Sequence, residues 1–163
     1  MDALCRLALN IAYRLLLVYW FVFRPTEYGV YVAVWCHGRI LLIRNSYKPH
    51  YTLPSGSRRR REEPAAAAVR ELRQEVGIDL ETDRLDRVGE FLSRQEYKRD
   101  YSVVFEVDVA PEPEITIDRR EVVEAQFVAF EAAQKKPVPN VVEQYFAWKA
   151  GPAESRSQRA GEP

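Results

Sequence analysis

The alternation of apolar and polar residues along the chain predicts strands and helices in a mixed order. Tyr28–Trp35 alternates with a period of two, His37-Gly38 predicts a turn, and the apolar run of Arg39–Arg44 predicts the returning strand of a β-hairpin. Further strands are expected at Tyr51–Leu53, Arg87–Ser93, Tyr101–Val109 and Ala125–Phe130. Because a hairpin is antiparallel and the elements follow in the order strand, strand, helix, strands, helix, we expect a mixed α/β domain whose sheet is not all parallel.

Two helices are predicted within this domain. In Ala65–Val76 the apolar residues recur at helical spacing, Pro64 suits the first helical position and Gly77 suits the C-terminal cap. Pro139–Lys149 is the second helix, and it closes the domain. Ser55–Glu63 has many charges and no apolar period, and it is therefore predicted to be a loop.

The first 24 residues form an apolar segment with a narrow polar stripe. Asp2, Arg6, Asn10 and Arg14 recur every four positions, which places them on one side of a helix. The uninterrupted apolar stretch Leu15–Phe23 is much shorter than the roughly 20 residues of a membrane-spanning helix. A helix with so narrow a polar stripe usually buries its remaining surface, so it is expected to pack on the domain or in a homodimer. The alternative is a helix that lies on a membrane surface.

This pattern divides the chain into an N-terminal helix at 1–24, a domain at 25–150 and a tail at 151–163 whose composition predicts disorder. Lys and Arg number 24 and Asp and Glu number 24, so the net charge is zero and a dedicated nucleic-acid-binding protein is not expected. Two cysteines fit a reducing compartment. We therefore expect a cytoplasmic protein, with peripheral membrane association as the alternative that the N-terminal helix leaves open.

One face of the first domain helix carries candidate chemistry. Glu71, Gln74 and Glu75 lie at i, i+3 and i+4 and share one side of that helix. Two carboxylates and an amide oxygen suit a hard cation such as Mg²⁺ or Mn²⁺. The same spacing also fits a solvated face whose acids pair with neighbouring Arg70 and Arg73.

The residues around this face follow a longer pattern: Gly56, Glu62, Arg70-Glu71-Leu72, Gln74-Glu75 and Gly77-Ile78. Their spacing resembles the Nudix box, and eight of its nine specified positions match, with Gln74 in place of a glutamate. The resemblance implies a Nudix-like α/β/α sandwich around a mixed sheet, to which the apolar N-terminal helix is an addition. It also implies hydrolysis of a nucleoside diphosphate linked to another group, with Mg²⁺ or Mn²⁺ as cofactor.

Carried over position by position, the resemblance assigns Glu71 and Glu75 as metal-ligating catalytic carboxylates. Gln74 would stand in the place of a third ligand, and the Ser55 carbonyl resembles the backbone ligand. Glu62 and Arg70 resemble the pair that braces the loop against the helix, while Gly56 and Gly77 are its structural glycines.

A further acid in this family often lies six residues before an aromatic residue. Glu121 stands at that distance from Phe127 and is our candidate for a further ligand or the general base, with Glu124 as the alternative. Arg61, where glycine is common in the family, is our candidate for contact with substrate phosphates. Four aromatic residues are candidates for stacking on a base: Tyr47, Tyr51, Phe91 and Tyr97.

Gln74 supplies no charge, and this departure supports a second hypothesis. The chain is then a Nudix-fold module that binds a nucleotide or a partner without turnover.

Overall fold

The structure is a computed structural model that describes residues 2–117 and 119–152. Its elements in chain order are α1 (Asp2–Phe23), β1 (Thr26–Cys36), β2 (Arg39–Asn45), β3 (Tyr51–Thr52), β4 (Ser55–Ser57), α2 (Pro64–Val76), β5 (Asp86–Ser93), β6 (Arg99–Asp108), β7 (Val122–Ala129), α3 (Phe130–Ala133) and α4 (Asn140–Ala150). The tail expected at 151–163 lies outside the described residues from residue 153 onward.

The strands form one mixed sheet. β1 and β6 run parallel from the pair Thr26 and Arg99 to the pair Trp35 and Asp108. All other pairings are antiparallel, namely β1 with β2 and β4, β2 with β3 and β7, and β5 with β6. The predicted hairpin and the predicted mixed sheet are therefore confirmed.

Alternate residues of β1 enter two separate hydrophobic cores. Val30, Val32 and Val34 pack with the apolar side of α2 on one face of the sheet. Ala33 and Trp35 pack with the side chains of α4 on the other face. Burial on both faces explains why β1 is apolar on both sides, and it confirms the α/β/α sandwich.

The ends of α2 follow from two residues that favour helix boundaries. Pro64 occupies the first turn, where its missing N–H would have no intrahelical partner. Gly77 adopts a φ of 73° and donates its N–H to the Arg73 carbonyl at 3.2 Å. The apolar side of α2 packs against the sheet. The side that carries Glu71, Gln74 and Glu75 is therefore not part of the hydrophobic core.

The predicted loop at Ser55–Glu63 requires a correction. Its first three residues form β4, which pairs with β1 at Gly29, Val30 and Tyr31. A strand of three residues is too short to show an alternating pattern, and hydrogen bonds to the β1 backbone hold it in place. The remaining residues of the segment form the loop as expected.

α1 packs on the domain along one side only, where Trp20 is 5% exposed. Most of its other apolar residues point away from the domain, so that Leu4 is 74% exposed and Leu15 is 66% exposed, and the expected burial of the whole apolar surface on the domain is therefore wrong. The domain side of α1 carries polar groups with partners: the Arg6 guanidinium donates to the Arg119 carbonyl at 2.7 Å, and the Trp20 indole donates to Glu27 at 3.0 Å. By length and composition Ala3–Phe23 could cross a membrane, and it is the helix among the described residues that meets this test.

Candidate active site

An ion pair joins the loop after β4 to α2. Arg70 Nε lies 2.8 Å from Glu62 Oε1, and Arg70 Nη2 lies 2.9 Å from Glu62 Oε2. The Glu62 carboxylate also accepts the Arg59 N–H at 2.8 Å. Hydrogen bonds from Arg70 are the largest cause that lowers the pKa of Glu62 to about 2. The pair that the Nudix resemblance assigned to bracing the loop is therefore in contact in the structure.

Gly56 allows β4 to approach α2 closely. A Cβ atom built at Gly56 would lie 2.1 Å from the carboxyl carbon of Glu71. The Glu71 carboxylate occupies the space that any other residue at this position would fill, and Arg70 Nη1 binds it from one side at 2.5 Å. Burial raises the pKa of Glu71, and the neighbouring Arg70 opposes that effect.

Glu75 is the buried carboxylate of the site. Its residue is only 8% exposed, and its Oε2 accepts the backbone N–H of Ser55 at 2.7 Å. Burial raises the pKa of Glu75 well above its ordinary value, and nearby Glu71 and Glu121 raise it further. Because neighbouring carboxylates and burial both disfavour the charge of Glu75, an added cation would be stabilised here.

The candidate ligands meet in one cleft of about 420 Å³. Ser55, Glu71, Gln74, Glu75 and Glu121 all line it. Gln74 itself is exposed, and its Oε1 accepts a hydrogen bond from Arg70 Nη1 at 3.3 Å. Within the described part of the chain, no three acidic, histidine or cysteine side chains lie close enough to hold a metal together. The oxygen groups that the sequence assigned to a metal and that border this cleft are those of Glu71, Glu75, Gln74 and Ser55. Oxygen donors of this kind fit Mg²⁺ or Mn²⁺.

Glu121 and Glu124 lie in different surroundings. Glu121 borders the cleft, and its Oε1 accepts the Tyr47 hydroxyl at 2.8 Å. Glu124 instead pairs with Arg44 at 3.0 Å within the β2–β7 pairing and accepts the Tyr51 hydroxyl at 2.9 Å. Of the two acids that the sequence leaves open, the structure brings Glu121 to the other carboxylates.

Arg61 does not border the cleft. It is exposed, and its φ of 64° lies in the left-handed region. That conformation favours glycine, which accounts for the glycine common at this position of the box. The expected phosphate contact of Arg61 stays a prediction, and its side chain lies outside the cleft that the acids line.

Of the four aromatic residues considered for stacking, Tyr47 lines the cleft and the others do not. Tyr51 packs beneath Lys136, and Phe91 borders the core on the α4 side. Tyr97 contacts Phe21 of α1. Sequence reasoning also missed the cleft residues contributed by α1, since the pattern of α1 does not show which side meets the domain.

The fold and this site define the class of protein. The sequence model of the NUDIX domain matches residues 25–149, most of the chain. The chain therefore belongs to the Nudix pyrophosphohydrolase family, whose members generally need divalent cations. A search of curated proteins by sequence returned no match.

Solved structures share the fold at low identity. The MutT protein of Methanosarcina mazei is 20% identical with a TM-score of 0.67, over 86% of this chain and 99% of that one. The NUDIX domain of Shewanella oneidensis NrtR, complexed with ADP ribose, is 13% identical with a TM-score of 0.66, over 84% and 90%. A bifunctional NMN adenylyltransferase/ADP ribose pyrophosphatase of Francisella tularensis, complexed with AMP and a manganese ion, is 23% identical with a TM-score of 0.57, over 75% and 39%.

Proposed function

We propose that this Nudix enzyme cleaves the diphosphate linkage of a nucleoside diphosphate joined to another group, with Mg²⁺ or Mn²⁺ as cofactor. The observation that carries the proposal is that Glu71 and Glu75, one helical turn apart on α2, border the same cleft, where burial raises the pKa of both carboxyl groups. Such a pair is stabilised by a cation, and a cation bound there would neutralise a diphosphate and lower the pKa of a water molecule.

The chain's own residues have separable tasks in this proposal. Glu71, Glu75, the Ser55 carbonyl and the Gln74 amide are the groups that would hold the cation. Glu121 accepts the proton from the attacking water, and the Tyr47 hydroxyl at 2.8 Å orients its carboxylate. Burial raises the pKa of Tyr47, so this hydroxyl stays protonated and donates. Glu62 and Arg70 fix the loop against α2 and take no part in the chemistry.

A nucleotide substrate is supported by the ligands of proteins with the same fold. The Shewanella domain is complexed with ADP ribose, and the Francisella protein is complexed with AMP. The cleft of this chain combines carboxylates with aromatic side chains, including Tyr28 and Tyr47. Both kinds of group are suited to a ligand that carries a metal-bound diphosphate and a ring.

Turnover of a defined panel tests the proposal. Phosphate or nucleotide release is measured for ADP ribose, dinucleoside polyphosphates and nucleoside triphosphates, with Mg²⁺, with Mn²⁺ and with excess EDTA. We expect cleavage of at least one compound, its loss in EDTA, and a fall in kcat of about 100-fold or more in Glu75→Gln. Glu131→Gln, which changes an exposed glutamate of α3, is the matched control. Undiminished cleavage by Glu75→Gln contradicts the assigned site.

A binding module without turnover remains the second candidate, and Gln74 favours it. Gln74 adds no negative charge and accepts a hydrogen bond from Arg70. In that case ADP ribose or another panel member raises the melting temperature of the protein, and no product appears with either metal. Cleavage of any panel compound excludes this candidate.

For the outward surface of α1 we propose contact with an anionic membrane surface, which would place a cytoplasmic enzyme at a membrane. No acidic residue occurs from Ala3 to Thr26, and the exposed cations Arg14 and Arg24 accompany the exposed apolar residues. A helix of this charge and polarity is suited to anionic lipid.

Vesicle flotation of the full chain tests this contact. We expect it to float with vesicles that contain phosphatidylserine and less with phosphatidylcholine alone. Leu15→Glu should weaken flotation, whereas Leu92→Glu, at an exposed leucine of β5, should not. A dimer in light scattering without flotation would show that a second copy covers α1 instead.

A further inference from the structure

The cleft has a wall that lies outside the NUDIX match. That match begins at residue 25, but three side chains of α1 border the same cleft as the box carboxylates. They are Tyr13, Leu16 and Trp20, which follow one another at three- and four-residue spacing on one side of the helix. A helix outside the family's match therefore faces the candidate catalytic groups.

Specific polar contacts hold this wall in place. The Trp20 indole donates to Glu27 at 3.0 Å, and Lys98 lies 4.1 Å from the centre of the Trp20 ring. The Tyr13 hydroxyl donates to Glu96 at 2.5 Å. Trp20 is only 5% exposed. The contacts fix the rotation of α1 about its axis, and with it the side of the helix that faces the cleft.

The α1 wall also contacts Tyr47, the residue that hydrogen-bonds to the candidate general base Glu121. The ring of Tyr13 packs against the ring of Tyr47 at 5.3 Å between centroids, and the Tyr47 hydroxyl donates to Glu121. Near the α1 wall, the cleft is bordered by aromatic rings and by Lys98, whose ammonium group lies 2.8 Å from Glu27 and 3.5 Å from Asp100. Ring faces beside charged and hydrogen-bonding groups suit a ring system that carries polar substituents.

We infer that α1 forms part of the substrate site and contacts the nucleoside of the substrate, beyond the diphosphate that the carboxylates address. The inference rests on the proposed function, since it takes the cleft to be the substrate cleft. α1 contributes to substrate affinity and selectivity in this arrangement, and the groups that hold the cation remain those of α2 and β4.

Two adjacent leucines allow the wall to be tested separately from the fold. Leu16 borders the cleft, whereas Leu15 is 66% exposed on the outward surface of the same helical turn. Leu16→Trp and Leu16→Glu change the space and charge of the cleft without removing a polar contact of α1. Leu15→Trp and Leu15→Glu make the same chemical changes outside it.

The measurement is the KM and kcat of all four full-length variants for the best panel substrate, with the Kd for ADP ribose by calorimetry as a second readout. We expect the Leu16 variants to raise KM and Kd about tenfold with kcat changed less than about twofold. The Leu15 variants should match the wild type. Circular dichroism and melting temperature verify that each variant is folded.

The outcomes separate this inference from the proposed function. If the wild type cleaves a panel compound and the Leu16 and Leu15 variants behave alike, α1 is not a substrate wall, while the hydrolase proposal stands. If the wild type binds ADP ribose but cleaves no panel compound, and the Leu16 variants weaken binding, the wall is supported and the hydrolase proposal fails. If the wild type neither binds nor cleaves any compound, both are overturned.

Discussion

Gly56→Ala would test the geometry of the site by adding a single methyl group. The new Cβ would lie 2.1 Å from the carboxyl carbon of Glu71 and 2.2 Å from its Oε1. Carbon atoms in favourable contact lie roughly 3.5–4.0 Å apart, so the carboxyl group must move by about 1.5 Å. The group that moves is the end of a flexible side chain, so the fold can accommodate the methyl group with little loss of stability.

The consequence for metal binding is much larger than the consequence for folding. Oxygen ligands of Mg²⁺ lie about 2.0–2.1 Å from the ion, with a tolerance of about 0.2 Å. A displacement of about 1.5 Å would take the Glu71 carboxylate out of coordinating distance of a bound Mg²⁺. A misplacement of about 1 Å can lower the rate about 100-fold. We expect kcat/KM to fall about 100-fold and Mn²⁺ affinity to fall at least tenfold, with the free energy of unfolding lowered by no more than about 1–2 kcal/mol.

The assay pairs Mn²⁺ calorimetry and kcat/KM with urea unfolding. Gly89→Ala is the matched control, because it also adds a methyl group within a strand but meets nothing within 4 Å. Adding Glu71→Asp to Gly56→Ala withdraws the carboxylate from the new methyl group, so the two changes together should cost less than the sum of their separate effects. Wild-type kcat/KM and Mn²⁺ affinity in a folded Gly56→Ala protein would refute the reasoning.

Three further changes test other parts of the site. Because Arg70 holds the pKa of Glu62 at about 2, the pair stabilises the fold above the ordinary pKa of 4.5 and loses this effect as the pH falls toward 2. Glu62→Gln should therefore lower the free energy of unfolding by about 1–2 kcal/mol at pH 7, and urea titrations should show the difference shrinking between pH 4.5 and 2; a constant difference contradicts it. Gln74→Glu adds a carboxylate to the cleft and should tighten Mn²⁺ binding about fivefold in calorimetry, unlike the exposed Gln134→Glu, and equal effects would place Gln74 outside the metal site. Tyr47→Phe removes the hydrogen bond to Glu121 and should lower kcat about tenfold with little change in KM, and an unchanged kcat would remove Glu121 from its assigned role.

The parts of the fold that could be predicted are those with a repeating pattern. β1 is long enough to show its period, and α2 has both a spaced apolar side and residues that favour its ends. β4 could not be predicted because its three residues are held by pairing with β1, which is a contact distant in sequence. The spacing of the Nudix box carried information that periodicity lacked, since it reflects a fixed arrangement of loop and helix.

The exposed apolar surface of α1 was not expected, and the reason is physical. A narrow polar stripe looks like the solvent side of a helix when the sequence is considered alone. In the structure Arg6 and Trp20 find acceptors on the domain, and these partners lie far away in sequence or in a different element. Likewise, the choice between Glu121 and Glu124 depends on Tyr47 and Arg44, whose positions no local pattern specifies.

The carboxyl end of α2 has a consequence for how the three acids keep their spacing. The Thr116 N–H donates to the Val76 carbonyl at 3.0 Å, and a Cβ atom at Gly77 would lie 3.0 Å from Thr116 Cβ. The segment that leads to Glu121 is therefore anchored to the same helix that carries Glu71 and Glu75. Glu121 is held from its other side as well, because its carbonyl accepts the Ser46 N–H at 2.7 Å, so contacts with α2 and with the end of β2 together set its distance from Glu71 and Glu75.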